Sequence, residues 1–182
     1  MSTIAAVATG NAPGGIGVIR ISGENATQIA DKVFRSMDKT KLSDMGGYRA
    51  RFGNVIINGE ESDNAVALVF KAPKSYTGED VVEISVHGGL LIVQKTLQAV
   101  LDAGAKPAEA GEFTKRAFLN GKMDLTQVES VADLISAQGE AAVKASFNAL
   151  QGSLSKKIKG VLDVILDLSA LMCAWAVSYT HL

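Results

Sequence analysis

A chain of 182 residues, 47% hydrophobic and 20% charged, is long enough for one or two packed domains and too apolar to be mainly disordered. Its formal net charge of −1 excludes a global basic field that recruits nucleic acid unaided, although a local patch or a partner could still do so. One cysteine, Cys173, cannot form an internal disulfide, MSTIAAVATG lacks a basic signal-type start, and no 18-residue run is both apolar and uncharged. A cytoplasmic protein without a membrane span is expected.

In chain order, TIAAVA (3–8) and GVIRIS (17–22) read as strands flanking the glycine-bearing loop GNAPGG. Ser22 to Arg35 carries Ile29, Val33 and Phe34 at helical spacing. Arg49 to Ile57 and Ser62 to Phe70 read as a hairpin, because Asn58-Gly59 favours a tight turn with positive φ, with Glu60 and Glu61 able to lengthen the loop. The loop KAPKSYTG follows. Strands interleaved with helices and at least one hairpin predict an α+β fold with a mixed sheet over residues 1–118.

Residues 76–89, YTGEDVVEISVHGG, hold the densest chemistry. Alternation along a strand places Val82, Ile84 and Val86 on one face and Val81, Glu83, Ser85 and His87 on the other. A polar face turned to water explains this pattern, and so does a binding site in which Glu83 and His87 are paired. Gly88 and Gly89 permit a tight turn or a close backbone approach. The helix LLIVQKTLQAVLDAG then places Leu90, Val93, Leu97, Val100 and Leu101 at spacings of three and four, with Gly104 as its stop. A strand, two glycines and a helix N-terminus could cradle an anion. No GxxxxGK[ST] occurs in the 182 residues, so no phosphate-loop nucleotide site is encoded.

Residues 108–125, AEAGEFTKRAFLNGKMDL, gather Glu112, Lys115, Arg116, Lys122 and Asp124 around Phe113, Phe118 and Leu119. Charge alone describes a solvated amphipathic turn. Phe113, Ala117 and Phe118 recur as on a helix face, Asn120-Gly121 breaks it, and Lys122 is presented on a loop. From Asp124 the pattern is helical: Asp124 and Gln127 resemble a capping box before the stripe Val128, Val131, Leu134, Ile135. A second helix is predicted from Phe147 through Leu150, Leu154, Ile158, Val161, Ile165, Leu168, Met172 and Trp175. Gly152 and Gly160 lie within it and each weakens it by about 1 kcal/mol, so its stripe needs further helices or a second copy.

ATGNAPGGIGVIRISG, SYTGEDVVEISVHGG, GEFTKRAFLNGKMDLTQVESVADLI and ALQGSLS, together covering 3 to about 168, resemble the MnmE (TrmE) tRNA-modification GTPases in order and spacing. The resemblance implies an N-terminal domain (1–118) similar to tetrahydrofolate-binding aminomethyltransferase domains, which forms a homodimer and binds 5-formyl-tetrahydrofolate or a related tetrahydrofolate. Residues 119–182 would begin a central helical domain, a truncated all-α segment. By motif match Arg20, Glu83 and Lys122 carry over as folate contacts. A pterin offers an exocyclic amine beside a ring N–H, which one carboxylate such as Glu83 can accept as a pair, while Arg20 and Lys122 suit carbonyl, formyl or glutamate oxygens. Without a ligand, Arg20 is a strand-face ion pair and Lys122 a solvated loop charge; His87 is either a support behind the ligand contacts or, as favoured here, a satisfied structural histidine.

The family's FAD-dependent partner MnmG and tRNA, with its wobble uridine (U34) as target, are implied for the full-length enzyme; neither a membrane nor DNA is. GTP, potassium and magnesium belong to the family's GTPase domain, whose motifs this sequence lacks, so this chain is expected to be inactive alone. Two departures stand out. Ala110 replaces a proline usual before GEFT, and after LDLSAL the chain reads MCAWAVSYTHL, in which 177–182 look foreign to the family, so that Cys173, Trp175, Tyr179 and His181 carry no assigned role. The alternative readings are an oligomerisation or scaffold module with no functional folate site and, more remotely, a free-standing aminomethyltransferase.

Overall fold

A computed structural model describes residues 2–10 and 12–179, with side chains up to 176. The tail expected to be foreign, 177–182, lies outside the described side chains, and His181 lies outside the described residues altogether. The chain divides into two compact units, Met1–Lys122 and Met123–Leu182.

The first unit is built on one mixed sheet. Its strands are β1 (Ile4–Val7), β2 (Ile16–Ser22), β3 (Phe34–Ser36), β4 (Arg49–Ile57), β5 (Glu60–Phe70), β6 (Val81–His87) and β7 (Lys106–Pro107), in the order β3-β4-β5-β6-β2-β1-β7. Every neighbouring pair is antiparallel except β1 and β7. Helices α1 (Ala26–Val33), α2 (Leu90–Asp102) and α3 (Glu112–Leu119) complete the unit.

The period-two alternation of β2 and β6 sets where the core lies. Ile19, Ile21, Val82, Ile84 and Val86 point toward the buried residues Ile29, Val33, Val93 and Val100 of α1 and α2. Ile19, Ile21 and Ile84 are fully buried, each side chain contributing about 1.5–3 kcal/mol. The opposite face is more open, with Phe52 at 55% and Val66 at 40% exposure. Val81 is the exception to the predicted alternation: although it shares the face of Glu83, it is buried.

The β4–β5 hairpin forms as its Asn-Gly turn predicts, with φ of 54° at Asn58 and 85° at Gly59. Glu60 and Glu61 do not lengthen the loop; they pair with Ile57 and Ile56 within the ladder. The helix expected over 22–35 is shorter than its apolar spacing suggested. Gly23 has a φ of 138°, the helix spans Ala26–Val33, and Phe34 turns extended to pair with Val55, where it is buried at the end of the sheet. After β6, Gly88 is a close-approach glycine: a Cβ there would lie 2.4 Å from the Gly14 carbonyl oxygen. Reciprocal backbone bonds, Gly14 N to Gly88 O at 3.1 Å and Gly88 N to Gly15 O at 3.3 Å, tie it to that loop.

The second unit is all-helical: α4 (Leu125–Ser136), α5 (Glu140–Leu150) and α6 (Ser153–Tyr179). Asp124 caps α4 with a complete capping box, its carboxylate accepting from Gln127 N at 2.9 Å while Gln127 Oε1 accepts from Asp124 N at 2.9 Å. The continuous helix predicted from Phe147 is in fact two. Gly152 adopts a φ of 77°, which ends α5 with a bond from its N–H to Ala149 O and starts α6 anew. Gly160, by contrast, passes inside α6. The stripe Leu154, Ile158, Val161, Ile165, Leu168 and Met172 is exposed. Among the described residues no helix is long and apolar enough to cross a membrane.

Candidate functional site

The sheet register brings two of the three sequence-predicted site residues face to face. Arg20 of β2 stands directly opposite Glu83 of β6 on the open face. Arg20 Nε donates to Glu83 Oε1 at 2.8 Å, and Nη2 lies 2.8 Å from the same oxygen. Both guanidinium contacts therefore fall on Oε1, and Oε2 accepts from no described group. Arg20 and Glu83 retain 29% and 23% side-chain exposure, enough to reach a ligand and little enough to make their pairing worthwhile.

Two aromatic rings flank the cation. The Arg20 guanidinium carbon lies 5.6 Å from the Tyr76 ring centroid and 5.7 Å from that of Phe113, both within cation–π range. Tyr76 comes from the loop 71–80 and Phe113 from the first turn of α3, and the Tyr76 hydroxyl is 2.9 Å from that of Thr114. Loop and helix thus approach Arg20 together. Lys122 is exposed, and its Nζ donates to Pro73 O at 3.0 Å. No hydrogen bond or ion pair joins it to Arg20 or Glu83. Its stem instead packs on the same loop at Gly78, where a Cβ would come 3.3 Å from Lys122 Cγ.

What holds that loop in place was not foreseen from the sequence. Arg116 of α3, only 4% exposed, spans two carboxylates. Its Nη1 reaches both Glu79 oxygens at 3.1 Å, and its Nη2 donates to Glu112 Oε1 at 2.8 Å. Glu79 Oε2 also accepts from Ser22 Oγ at 2.8 Å, which is 2.7 Å from Thr77 Oγ1, and Asn120 Nδ2 donates to Thr77 O at 2.7 Å. At the loop base Lys71 Nζ pairs with Asp80 Oδ2 at 2.8 Å. The Glu109 N–H and then the Arg116 guanidinium hold the Glu112 carboxyl below its usual range.

The helix-face reading of α3 named the wrong neighbour: Phe118 is 42% exposed, whereas Arg116 and Ala117 are buried. The signal available in the sequence was the Glu112–Arg116 spacing of four. His87 is satisfied, though in solvent: its Nδ1 is 2.6 Å from Asp63 Oδ1 and its backbone N–H donates to Asp63 Oδ2 at 2.8 Å. The carboxylate partner, on β5, is a residue that sequence reasoning passed over.

A family model described as GTP-binding protein TrmE N-terminus matches residues 3–122 of this chain. Among curated relatives, the tRNA modification GTPase MnmE of Alkaliphilus metalliredigens is 48% identical over 170 residues, covering 92% of this chain and 37% of the relative. The protein of the same name from Clostridioides difficile is 45% identical over 168 residues, with 92% and 37% coverage, and that of Thermus thermophilus 46% over 169, with 92% and 38%. The chain therefore spans a little over a third of the length of these relatives.

Proposed function

This chain belongs to the TrmE N-terminus family, and from that premise we propose that it binds the pterin end of a 5-formyl-tetrahydrofolate-type cofactor at Glu83 and Arg20, as the folate-binding and homodimerising part of a tRNA-modification GTPase. The observation that carries the reading is the Arg20–Glu83 pair, bonded through Oε1, with two aromatic ring centroids 5.6 and 5.7 Å from the Arg20 guanidinium carbon. A flat heterocycle with adjacent N–H donors suits it. Oε2 accepts one donor and Oε1, shared with Arg20, the other, while the rings of Tyr76 and Phe113 supply apolar surface. Lys122, tethered to the loop that bears Tyr76, would meet a carbonyl or glutamate oxygen. The folate would supply a one-carbon unit when bound; what these residues do is orient it.

In that setting residues 1–122 would form an aminomethyltransferase-like folate domain, and 123–182 would begin the helical domain. The full-length enzyme would act on the wobble uridine (U34) of tRNA with an FAD-dependent MnmG-type partner. Nothing in these residues is assigned to GTP, potassium or magnesium.

Calorimetric titration of the purified chain with 5-formyl-tetrahydrofolate tests the proposal. Charge-assisted hydrogen bonds contribute about 1.5–3 kcal/mol, so Glu83→Ala is expected to weaken binding about 10- to 150-fold. Binding that survives Glu83→Ala unchanged would rule out the pterin contact. A second reading, an oligomerisation module without a working folate site, draws on the exposed apolar residues Ile16, Phe52 and Val66. A dimer by light scattering with no folate binding by the wild-type chain would favour it.

A further inference from the structure

Although the chain as a whole is slightly acidic, one cavity of the first unit is basic. A hollow of about 470 Å3 lies where the end of α1, strand β3 and the turn after it meet, and Lys32, Arg35, Lys39 and Lys41 line it together with the hydroxyl residues Ser36 and Thr40. We propose that this hollow is a phosphate site that takes phosphodiester groups of an RNA strand; the choice of RNA as the source rests on the reading of the chain as part of a tRNA-modification protein.

Each neighbouring carboxylate is already hydrogen-bonded. Asp31, which also lines the hollow, accepts from Leu42 N at 2.6 Å on one oxygen and from Ser43 N at 3.1 Å on the other. Asp38 accepts from the Ser36 hydroxyl and from Thr40 N, and pairs with Arg51. Glu61 accepts from Asn54 Nδ2 at 2.7 Å and stands 3.8 Å from Arg35 Nη1. Lys32 Nζ donates to the Ala103 carbonyl at 3.0 Å. Lys39 and Lys41 have no ion-pair partner among the described residues.

The backbone is shaped for this presentation. Lys39 holds a φ of 61°, a left-handed conformation that is uncommon for a residue with a Cβ, and its N–H donates to Ser36 O at 3.0 Å. Asp38 folds the turn 36–40 around itself, so its carboxylate is spent on the turn while the lysine beside it faces the hollow. The point-charge lysines Lys39 and Lys41 suit a phosphate's three-dimensional array of acceptors better than a planar carboxylate, while the Ser36 hydroxyl is already donated to Asp38. Contacts of this kind carry affinity without sequence preference.

The test is a titration of the 182-residue chain with fluorescent tRNA at stepped salt concentrations. Lys39→Asn, which tolerates the left-handed φ, is combined with Lys41→Gln. The double variant is expected to bind about tenfold more weakly and to lose about 1.5 to 2 from the slope of log affinity against log salt. Lys156→Gln with Lys157→Gln, the same charge change on α6, is expected to leave both readouts in place. Equal losses in the two double variants, or no tRNA binding by the wild-type chain, would overturn the site. Acylation footprinting separates the sources of phosphate: Lys39 and Lys41 should be protected by tRNA and by inorganic phosphate alike, and protection by phosphate alone overturns the RNA assignment. Folate titration of the Lys39→Asn/Lys41→Gln chain should match wild type. Should the wild-type chain bind tRNA through this hollow yet fail to bind folate, the folate reading falls and the phosphate site stands.

Discussion

Arg116→Met removes the cation that joins α3 to the loop 71–80 while roughly keeping the length of its stem. Two carboxylates, Glu79 at 14% and Glu112 at 18% side-chain exposure, then face each other without it. Deleting one partner of a buried ion pair costs about 3–5 kcal/mol, because the survivor stays desolvated. Partial access to water reduces that here to about 2–3 kcal/mol, a large share of the about 5–15 kcal/mol that holds a typical domain folded. Hydrogen exchange at the core amides of β2 and β6 reads the first unit independently of the helical one. Exchange through global opening should be about 30- to 150-fold faster in the variant. Adding Glu79→Gln to Arg116→Met should recover part of the loss, since the desolvated charge is then gone. Exchange within about twofold of wild type would show that the arginine is a bystander, and that packing of Phe113 and Ala117 holds the loop and helix together.

Acid should destabilise the chain in a defined window. The Ser36 hydroxyl, followed by Thr40, holds the Asp38 carboxyl down at about 2 from an ordinary 3.8, and Glu112 is also lowered, so both bind protons more readily when unfolded. Their stabilisation is complete above about pH 5 and is lost as pH falls toward 2. Melting temperatures measured from pH 7 to pH 2 should be level with respect to these groups and then decline, with Asp38→Asn shallowing the decline; a rise on acidification would contradict the assignment. In the second unit, Asp124→Ala removes the N-cap of α4, whose carboxyl is lowered by the Ser155 hydroxyl, then Thr126 and Gln127. A cost of about 1 kcal/mol predicts roughly fivefold faster exchange at the first amides of α4, and an unchanged rate would mean that the cap is dispensable.

Features carried by neighbouring residues were legible in the sequence, and those that depend on distant partners were not. Asn58-Gly59 specifies a turn within two residues, and Asp124 with Gln127 a cap within four, so both stand as expected. The alternation of β6 located Glu83 on the open face, but nothing local indicated that Arg20, 63 residues away, would be its cross-strand partner; the family resemblance named both residues as folate contacts but not their pairing. Tyr76 was invisible as a site residue because its position over Arg20 depends on a loop held by Arg116, itself buried through a carboxylate 37 residues distant. Strand β3 is three residues long, too short for any period to show. The break at Gly152 is a different case. Its signal, a glycine after an apolar helical run, is local, but the apolar stripe that continues beyond it masks the break.

The two ends of the sheet have a consequence for how the chain can meet a copy of itself. One border is the three-residue β3 and the other the two-residue β7, which ends in Pro107, a residue with no N–H to donate. Neither border offers a long run of unpaired amides, so a passing strand finds little to zip onto. Were two copies to associate through this unit as proposed, the sheet borders would favour stacking of the open face, where Phe52 and Val66 lie bare, over lateral strand addition. Such stacking would set the separation and angle of two Arg20–Glu83 pairs by side-chain packing, and it would let the pair of copies come apart without unravelling the sheet.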